Sequence, residues 1–304
     1  MSSEPLGVKV RSVFLCLETD RLAHCVEIIG SGGKTSFMLN FIKAFGGGDR
    51  VNIIYTTSTH LAWPWKAGSS GPERDEGGVP YPGELIEWCG DLDDLPALQE
   101  RWNQSRAPRL WGLVRPNSER SKWVGLSPDD LDSIGTWRGL DFLVVEADGS
   151  RQLPVKAHAC HEPVLYSRAD LGVAVIGLKG LRRRIREGEV HRPQLMAQFL
   201  ECPLDTVIGP EEFVRLACAY LNKLPTEKKL LVLSQAEGWE EGALQNLGAS
   251  ICNCYGQSTR FATPSKGIDA SEPLTFDLSA WNLDEAGLTV AIQSKIFGCR
   301  LLSC

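Results

Sequence analysis

The chain has 304 residues, 43% of them hydrophobic, and a formal charge of −6 at pH 7, which predicts one large or two modest globular domains. The acidic balance argues against a general nucleic-acid-binding protein, because such a protein usually has a basic face. We find no apolar run long enough to span a membrane, no secretory signal and no C-x-x-C pair among the ten scattered cysteines, which predicts a cytoplasmic protein with reduced thiols.

Short apolar strands alternate with helical segments along the chain. Strands are predicted at 24–30, 51–56, 141–146, 171–177, 229–234 and 258–263. Helices are predicted at 34–45, 84–89, 94–104, 128–137, 192–200, 210–221, 240–250 and 284–297. Short strands in which nearly every residue is apolar are typical of a parallel sheet buried on both faces. We therefore predict an α/β fold, a three-layer domain with a mainly parallel sheet covered by helices on both faces.

The most informative segment joins the first predicted strand to the first predicted helix. It reads Gly30-Ser31-Gly32-Gly33-Lys34-Thr35-Ser36, the short G-x-G-G-K-T form of a phosphate-binding loop (P-loop). Glycines let backbone N–H groups approach an anion closely, and the helix N-terminus adds partial positive charge. Lys34 is suited to outer phosphates, and the Thr35 hydroxyl to Mg²⁺. We predict that residues 30–36 bind a nucleoside triphosphate, ATP or GTP, with Mg²⁺; the alternative is an ordinary glycine turn.

A polar run follows the second predicted strand: Thr56-Thr57-Ser58-Thr59-His60. Thr57, Thr59 and His60 are candidate ligands of phosphate, of substrate or of water-bound Mg²⁺. The hydroxyls are equally compatible with capping of the next turn. Both interpretations stay open from the sequence.

The third predicted strand ends in two carboxylates, in the segment Val145-Glu146-Ala147-Asp148. Because ligands of parallel sheets bind at the carboxyl ends of the strands, we expect Glu146 and Asp148 beside Lys34 and Thr35. One carboxylate would orient Mg²⁺ and the other would position the attacking water. We predict Thr35, Glu146 and Asp148 as metal ligands, and Lys34, Glu146 and Asp148 as catalytic residues. A plain Asp-Gly turn is the alternative.

Three of the five histidines lie in two short segments, 155–163 and 190–193. The spacing around His158 and His161 fits no standard zinc pattern. The His191-Arg192 pair suits an anion, because arginine gives bidentate contacts. We predict that both segments converge beside the outer phosphate, with His161 and His191 acting in catalysis and Arg192 in cofactor binding. Structural histidines are the alternative.

Residues 182–186 form an arginine-rich run. A short basic run of this kind is usually a solvated loop. A cover over the triphosphate is the alternative.

The order and spacing of these motifs resemble the YqeC family. Besides the glycine loop, the hydroxyl run and the carboxylates, the resemblance rests on Lys122-Trp123-Val124-Gly125-Leu126, Lys156-Ala157-His158, His161-Glu162-Pro163-Val164 and Val190-His191-Arg192-Pro193. It covers about residues 24–265. Members are bacterial proteins described as accessory factors of selenium-dependent molybdenum hydroxylases. The resemblance implies a cytoplasmic P-loop protein that acts in cofactor maturation, with a molybdenum hydroxylase or its cofactor-insertion machinery as partner.

One segment departs from the family. Members tend to carry an Asn-Lys-x-Asp-like element after the late strand, whereas this chain has Ser234-Gln235-Ala236-Glu237. The missing Asn and Lys predict less than strict selectivity for guanine.

Three regions and one function follow from these patterns. We predict an N-terminal extension (1–23), a nucleotide-binding domain (24–265) with a flexible insertion near 64–83, and a C-terminal extension (266–304) with one helix. The predicted function is that of a Mg²⁺-dependent, slow nucleoside triphosphatase serving maturation of a molybdenum hydroxylase. A phosphoryl- or nucleotidyl-transferase or ligase with a small acceptor, and a non-catalytic nucleotide switch, are the alternatives. Neither nucleic acid nor a membrane is expected as a partner.

Overall fold

The computed structural model describes residues 24–46, 51–61, 84–87, 94–105, 109–116, 123–166, 168–255, 287–294 and 298–301. The strands are β1 (His24–Gly30), β2 (Ile53–Thr57), β3 (His60–Leu61), β4 (Glu84–Glu87), β5 (Leu110–Pro116), β6 (Trp123–Val124), β7 (Phe142–Glu146), β8 (Leu171–Gly177), β9 (Lys228–Ser234), β10 (Gly287–Ser294) and β11 (Gly298–Leu301). The helices are α1 (Lys34–Gly46), α2 (Leu95–Gln104), α3 (Pro128–Ile134), α4 (Pro193–Leu200), α5 (Pro210–Lys223) and α6 (Glu241–Tyr255).

The described strands form one sheet in the order β11-β10-β9-β8-β1-β7-β2-β5-β6-β3, with β4 also paired to β5. All neighbours from β10 to β5 run parallel, as does β4 beside β5. The antiparallel pairs lie at the two ends of this order, where β11 joins β10, β6 joins β5 and β3 joins β6. The predicted α/β fold with a mainly parallel sheet is confirmed.

Helices cover both faces of this sheet. On one face, Phe37 and Phe41 of α1 pack in a cluster with Val26 and Ile28 of β1 and Val144 of β7. On the other face, α2 and α3 pack against alternate residues of β2 and β7, and α4, α5 and α6 pack against those of β8 and β9. Burying a side chain of this size contributes about 1.5–3 kcal/mol, so the layers are held mainly by apolar burial.

The predicted strands of the central sheet are confirmed within one or two residues of each end. Five of the predicted helices correspond to α1 and α3–α6, although α3 ends three residues before its prediction and α6 ends five residues after it. Helix α2 also lies where it was predicted. Helix α3 starts as the sequence indicates: the Ser127 side chain accepts from the Asp130 amide, the Asp130 carboxylate accepts from the Ser127 amide, and Pro128 follows the cap. This reciprocal pair satisfies amides that the first helical turn leaves open.

Two predicted helices are wrong. Residues 84–87 of the predicted helix 84–89 form strand β4, which pairs with β5, and residues 287–294 of the predicted helix 284–297 form strand β10, which extends the sheet beyond β9. In both cases the edge of a neighbouring strand provides backbone hydrogen bonds. In addition, β10 carries the β-branched residues Thr289, Val290 and Ile292, which favour strands. The sequence pattern does not predict strands β3, β5, β6 and β11.

The predicted N-terminal extension, the insertion near 64–83 and the strand at 258–263 lie outside the described residues. None of the described helices combines the length and the apolar character needed to cross a membrane.

Candidate functional site

The glycine loop connects β1 to α1 in a conformation that requires glycine. Gly30, Gly32 and Gly33 have φ angles of 104°, 79° and 147°. A Cβ atom on Gly30 would lie 2.0 Å from the carbonyl oxygen of Val175, and one on Gly32 would lie 2.7 Å from that of Pro154. A larger residue at either position would therefore clash with backbone as well as adopt a strained conformation.

Side chains from distant parts of the chain hold the loop in place. The Ser31 hydroxyl donates to the carbonyl of Pro154 at 3.1 Å and lies 3.2 Å from the hydroxyl of Tyr220. The Ser234 hydroxyl, at the end of β9, donates to the carbonyl of Gly32 at 2.7 Å. Sequence reasoning missed the roles of Tyr220 and Ser234, because both act only through tertiary contact. Tyr220 belongs to no motif, and Ser234 was noted only as part of the segment that departs from the family.

Two amides of the loop are open to a ligand. The Ser31 amide donates to the backbone of β8 at 2.8 Å. By contrast, the N–H groups of Gly32 and Gly33 donate to no described residue. They lie immediately before α1, where the helix dipole adds partial positive charge. Open amides at a helix N-terminus are an arrangement that binds phosphate in many proteins.

Lys34 lies buried among acceptors. Its side chain is 3% exposed, and its ammonium group donates to the carbonyl of Gly30 at 2.8 Å and lies 3.4 Å from Glu146 and 3.3 Å from Asp148. Burial alone would lower the pKa of Lys34, but the two carboxylates raise it above its ordinary value. Lys34 is therefore charged at neutral pH and lies beside the two carboxylates predicted to accompany it.

Asp148 is surrounded by donors. Both of its oxygens accept from the Gly30 amide, one lies beside Lys34, and the other accepts from Lys156 at 3.1 Å and lies 2.6 Å from His158. Burial alone would raise the pKa of Asp148, but Lys34, the His158 hydrogen bond and Lys156 hold it well below the ordinary range. Because hydrogen bonds and ion pairs already occupy both oxygens of Asp148, this carboxylate is suited to holding the glycine loop in its conformation.

Thr35 and Glu146 fit a magnesium ion better than Asp148 does. The Thr35 hydroxyl donates to a Glu146 oxygen at 3.1 Å, which brings two hard oxygen ligands together next to the loop. Burial raises the pKa of Glu146, although Lys34 opposes the shift, and a bound cation would reverse it. Among the described residues, no group of three or more His, Cys, Asp or Glu has a metal-binding arrangement.

A chain of ion pairs leads away from the loop. Lys156 is fully buried and donates to Asp148 at 3.1 Å, to the carbonyl of Gly149 at 2.7 Å and to Glu162 at 2.9 Å. Glu162 in turn accepts bidentate hydrogen bonds from the guanidinium of Arg192. Burial would raise the pKa of Glu162, but Arg192 and Lys156 lower it to about 2. Sequence reasoning assigned Lys156 no role beyond the family resemblance.

The hydroxyl run after β2 contributes mainly structural contacts. The Thr57 hydroxyl is buried and donates to the carbonyl of Glu146 at 2.7 Å. The Thr59 amide donates to Thr57, and the Thr59 carbonyl accepts from the Gly125 amide. His60 belongs to β3, and its side chain lies outside the described residues. These contacts favour turn capping for Thr57, while nucleotide binding by Thr57, Thr59 and His60 stays a prediction.

The histidines occupy three different environments. His158 contacts Asp148 and stacks edge-on against Tyr220, with ring centroids 5.0 Å apart. The backbone of His191 pairs with the segment of Lys156, which brings the two predicted segments together. His161 is exposed, and its side chain has no hydrogen-bond partner among the described residues. A catalytic role of His161 or His191 stays a prediction.

The segment that departs from the family follows β9. Gln235 has a left-handed φ of 59°, and a Cβ on Gly177 would lie 2.5 Å from its amide oxygen. Ser234 anchors the loop at Gly32, so this end of β9 lies beside the glycine loop. The arginine-rich run 182–186 instead pairs through its backbone with residues 205–208.

Comparison with known proteins supports the resemblance. The sequence model of the family described as YqeC protein matches residues 26–194. A protein of Escherichia coli (strain K12) named "Uncharacterized protein YqeC" is 25% identical over 191 residues, which cover 63% of this chain and 66% of that protein. The chain thus spans just under two thirds of that relative. No solved structure matches the chain. The glycine loop, both carboxylates and the ion pairs as far as Arg192 lie within the matched region.

Proposed function

The chain belongs to the YqeC family, and from this premise we propose that it binds a nucleoside triphosphate with Mg²⁺ at the loop of residues 30–36 and hydrolyses it slowly. We further propose, on the family resemblance, that this activity serves the maturation of a molybdenum hydroxylase or its cofactor. Partners in this role are the hydroxylase or the machinery that inserts its cofactor.

The observation that carries the proposal is the pair of open amides beside a buried lysine. Gly32 and Gly33 donate to no described residue, and Lys34 extends from the first turn of α1 next to them. Buried or inward-facing N–H groups are nearly always paired in folded proteins. An anion bound at the loop would satisfy these amides, and Lys34 supplies the charge that outer phosphates need.

Each nearby residue then has a defined task. Lys34 and the open amides hold phosphate, and Thr35 with Glu146 supplies oxygen ligands for Mg²⁺. A bound Mg²⁺ would neutralise phosphate charge and orient the outer phosphate for attack by water. Asp148 keeps the loop in shape through Gly30 and balances the charges of Lys34 and Lys156.

Calorimetry with Lys34→Ala tests the nucleotide site. We expect the affinity for ATP or GTP with Mg²⁺ to fall roughly 30-fold or more, because a charged hydrogen bond contributes about 2 kcal/mol. The affinity for the monophosphate should change roughly threefold or less, since Lys34 addresses outer phosphates. Lys179→Ala, which removes an exposed lysine, is the matched control. Equal triphosphate affinity of Lys34→Ala and the parent would refute the site.

The accessory role needs a separate readout. A molybdenum hydroxylase co-expressed with Lys34→Ala should have lower specific activity than one co-expressed with Lys179→Ala at equal protein levels. If both variants support the hydroxylase equally while nucleotide binding differs, the maturation role is wrong although the nucleotide site is right.

A transferase is the second candidate, and one observation favours it. The ion pairs from Asp148 through Lys156 and Glu162 to Arg192 connect the loop to a second cationic region. Turnover that requires a small acceptor would support this candidate. Turnover in water alone supports the hydrolase, and binding without turnover supports a nucleotide-dependent switch.

A further inference from the structure

We propose that an apolar surface at α4, bordered by arginines, binds an acidic segment of a partner protein that carries apolar side chains beside its carboxylates. We call it the α4 surface, and it consists of Leu195, Phe199, Leu204, Val207, Arg184 and Arg215. Binding of a partner at this surface requires no nucleotide, so this proposal and the proposed function can fail separately.

Large apolar side chains are exposed in one short stretch of the chain. Among the residues that the structure describes, five large hydrophobic side chains are exposed, and four of these belong to residues 195–207. They are Leu195, Phe199, Leu204 and Val207, with exposed fractions between 37% and 52%. Single exposed apolar side chains are common on protein surfaces, but a group of them rimmed by polar residues marks an interaction site.

Leu195 and Phe199 form an exposed ridge on α4. They are four residues apart, so their side chains lie on the same helix face. The next residue after each of them, Met196 and Leu200, is buried in the core cluster. The guanidinium carbon of Arg215, on α5, lies 5.9 Å from the centroid of the Phe199 ring, and its nitrogens donate to the carbonyls of Phe199 and Leu200. A cation therefore borders the apolar ridge.

Val207 and Arg184 form the second part of the surface. The two residues lie directly opposite each other in an antiparallel bridge, so their side chains point to the same side. The next residue of each segment, Ile185 and Ile208, points the other way and is fully buried in the cluster that also contains Met196 of α4. Val207 and Arg184 are therefore exposed above the same core on which α4 packs.

Leu204 lies between these two parts. The chain leaves α4 through a turn in which the Cys202 amide donates to the carbonyl of Ala197 at 3.0 Å. A second turn follows at once, in which the Thr206 amide donates to the carbonyl of Pro203 at 3.3 Å. Leu204 is 52% exposed within that second turn. The apolar side chains thus follow one another along a compact segment.

The charge beside this surface is positive and largely unbalanced. The three arginines at 182–184 are exposed, and none of them forms an ion pair with a described residue, nor does Arg215. Within the arginine-rich run, Arg186 does form such pairs, with Glu189 and Asp205. The whole chain carries a formal charge of −6, so this local excess of cations departs from the rest of the protein. Charge complementarity therefore calls for a partner that brings carboxylates.

A protein segment fits this surface better than a second copy of the chain or a membrane does. A second copy that paired through the same face would bring the arginines of both copies together, and like charges repel each other. Binding to a membrane surface buries the whole apolar face of an amphipathic helix, whereas α4 has eight residues and exposes two large apolar side chains. Arginines and aromatic side chains around an apolar centre are instead typical of protein interfaces.

Fluorescence anisotropy with peptides of defined sequence tests the α4 surface. Two short labelled peptides combine leucine with glutamate, one at the spacing of an amphipathic helix and one in the strict alternation of a strand. Matched versions carry lysine in place of glutamate. We expect one acidic peptide to bind the full chain saturably, about tenfold more tightly than its lysine version. Leu195→Ser should weaken this binding about tenfold, and Trp239→Ser, which removes the exposed tryptophan outside the surface, should leave it unchanged.

A charge reversal separates binding from folding. The double variant Arg183→Glu and Arg184→Glu should lose about tenfold in affinity for the acidic peptide and gain affinity for the lysine peptide. A variant that merely failed to fold would not gain affinity for the lysine peptide. Arg138→Glu, at another exposed arginine, is the matched control. Nucleotide calorimetry on the same variants should match the parent, and it judges the proposed function independently.

Several results would overturn the proposal. The surface is no docking site for an acidic segment if neither acidic peptide binds saturably, or if the charge reversal changes the affinity for both kinds of peptide alike. Sedimentation of the full chain as a dimer that Leu195→Ser dissociates would assign the surface to a second copy. Binding of the parent to phosphatidylserine vesicles, lost in Leu195→Ser and in the charge reversal, would assign it to a membrane instead.

Discussion

Both carboxylate oxygens of Asp148 accept hydrogen bonds from the amide of Gly30, at 3.0 and 2.9 Å, although the two residues lie 118 positions apart. The same carboxylate contacts Lys34, Lys156 and His158. Its charge therefore fixes the first residue of the glycine loop and balances two buried lysines. Glu146, at the end of β7, shares Lys34 but is also paired with Thr35. The two neighbouring carboxylates thus have different tasks.

Substitutions of Asp148 and Glu146 should have different effects on stability and on nucleotide binding. Asp148→Asn removes the charge that balances Lys34 and Lys156, and breaking a buried pair in this way typically costs about 3–5 kcal/mol. We expect its free energy of unfolding in urea to fall by about that amount. Glu146→Gln should cost less stability and should instead reduce the dependence of nucleotide affinity on Mg²⁺, because it removes the charge of the proposed metal ligand.

Magnesium titrations in the calorimeter check this assignment. Glu187→Gln, an exposed carboxylate, is the matched control and should behave as the parent does. If Glu146→Gln kept the Mg²⁺ response of the parent, Glu146 would be structural. If Asp148→Asn kept its stability but lost the Mg²⁺ response, Asp148 would be the metal ligand instead.

The sequence predicted the loop and the carboxylates because their signals are local. Gly30–Ser36 follows an apolar strand and precedes a helical pattern, and Glu146 ends another apolar strand, so the topology of a parallel sheet brings them to one edge. Lys156, Tyr220 and Ser234 carry no such signal. Each acts on the loop through contacts between residues far apart in sequence, and these exist only in the folded chain.

The two wrong helices have a related cause. Residues 84–87 and 287–294 lie towards the edges of the parallel sheet, where a neighbouring strand decides the conformation of a short apolar segment. Periodicity alone cannot separate a short strand from a short helix in such segments. The central strands were easier to predict, since their runs of buried apolar residues match strands covered on both faces.

Tyr220→Phe should loosen the glycine loop while keeping the core packed. The hydroxyl contacts Ser31 at 3.2 Å, accepts from the Lys156 amide at 2.8 Å and donates to the Lys156 carbonyl at 2.8 Å. Losing it leaves buried partners unpaired, which costs about 1–3 kcal/mol of stability. We expect triphosphate affinity to fall roughly five- to tenfold, because the open loop amides become less well positioned.

Tyr255→Phe is the matched control for that substitution. Tyr255 lies at the end of α6, and its hydroxyl accepts a hydrogen bond from Lys229 at 2.8 Å. Tyr255→Phe therefore also removes a hydrogen bond of a tyrosine hydroxyl. Calorimetry and urea unfolding are compared for both variants. If both lost stability and neither lost triphosphate affinity, Tyr220 would support the core without positioning the loop.

Base selectivity should be weak. Ser234 is engaged with the carbonyls of Gly32 and Ile176, so it anchors the loop. Gln235 stands where the family tends to carry a lysine, so the charged donor of that element is missing. A site built to hydrogen-bond one base rejects another strongly only when the wrong base leaves buried groups unpaired. We expect ATP to compete with GTP at similar concentrations in an equilibrium competition assay. A GTP preference above roughly a hundredfold, about 2.7 kcal/mol, would contradict this prediction.

Glu27 is a buried carboxyl group within the apolar strand β1, and the sequence interpretation gave it no role. It is fully buried, one oxygen accepts from the Tyr166 amide at 2.6 Å, and the other has no hydrogen-bond partner among the described residues. Burial raises the pKa of Glu27 from 4.5 to about 8, against the opposing effect of the Tyr166 amide. The carboxyl group is therefore protonated in the folded protein at pH 6.

Stability should consequently fall as the pH rises. Between about pH 4.5 and 8 the folded Glu27 keeps a proton that the unfolded chain has released, so the folded state binds more protons and loses stability with rising pH. Between pH 5 and pH 8 this group should cost ~2–4 kcal/mol of unfolding free energy. Glu27→Gln is neutral at every pH and still accepts from Tyr166, so it should match the parent at pH 5 and exceed its stability at pH 8 by about that amount. Urea unfolding at both pH values measures the difference, with Glu100→Gln, an exposed residue of α2, as the control. A constant difference between Glu27→Gln and the parent across this range would show that Glu27 does not titrate there.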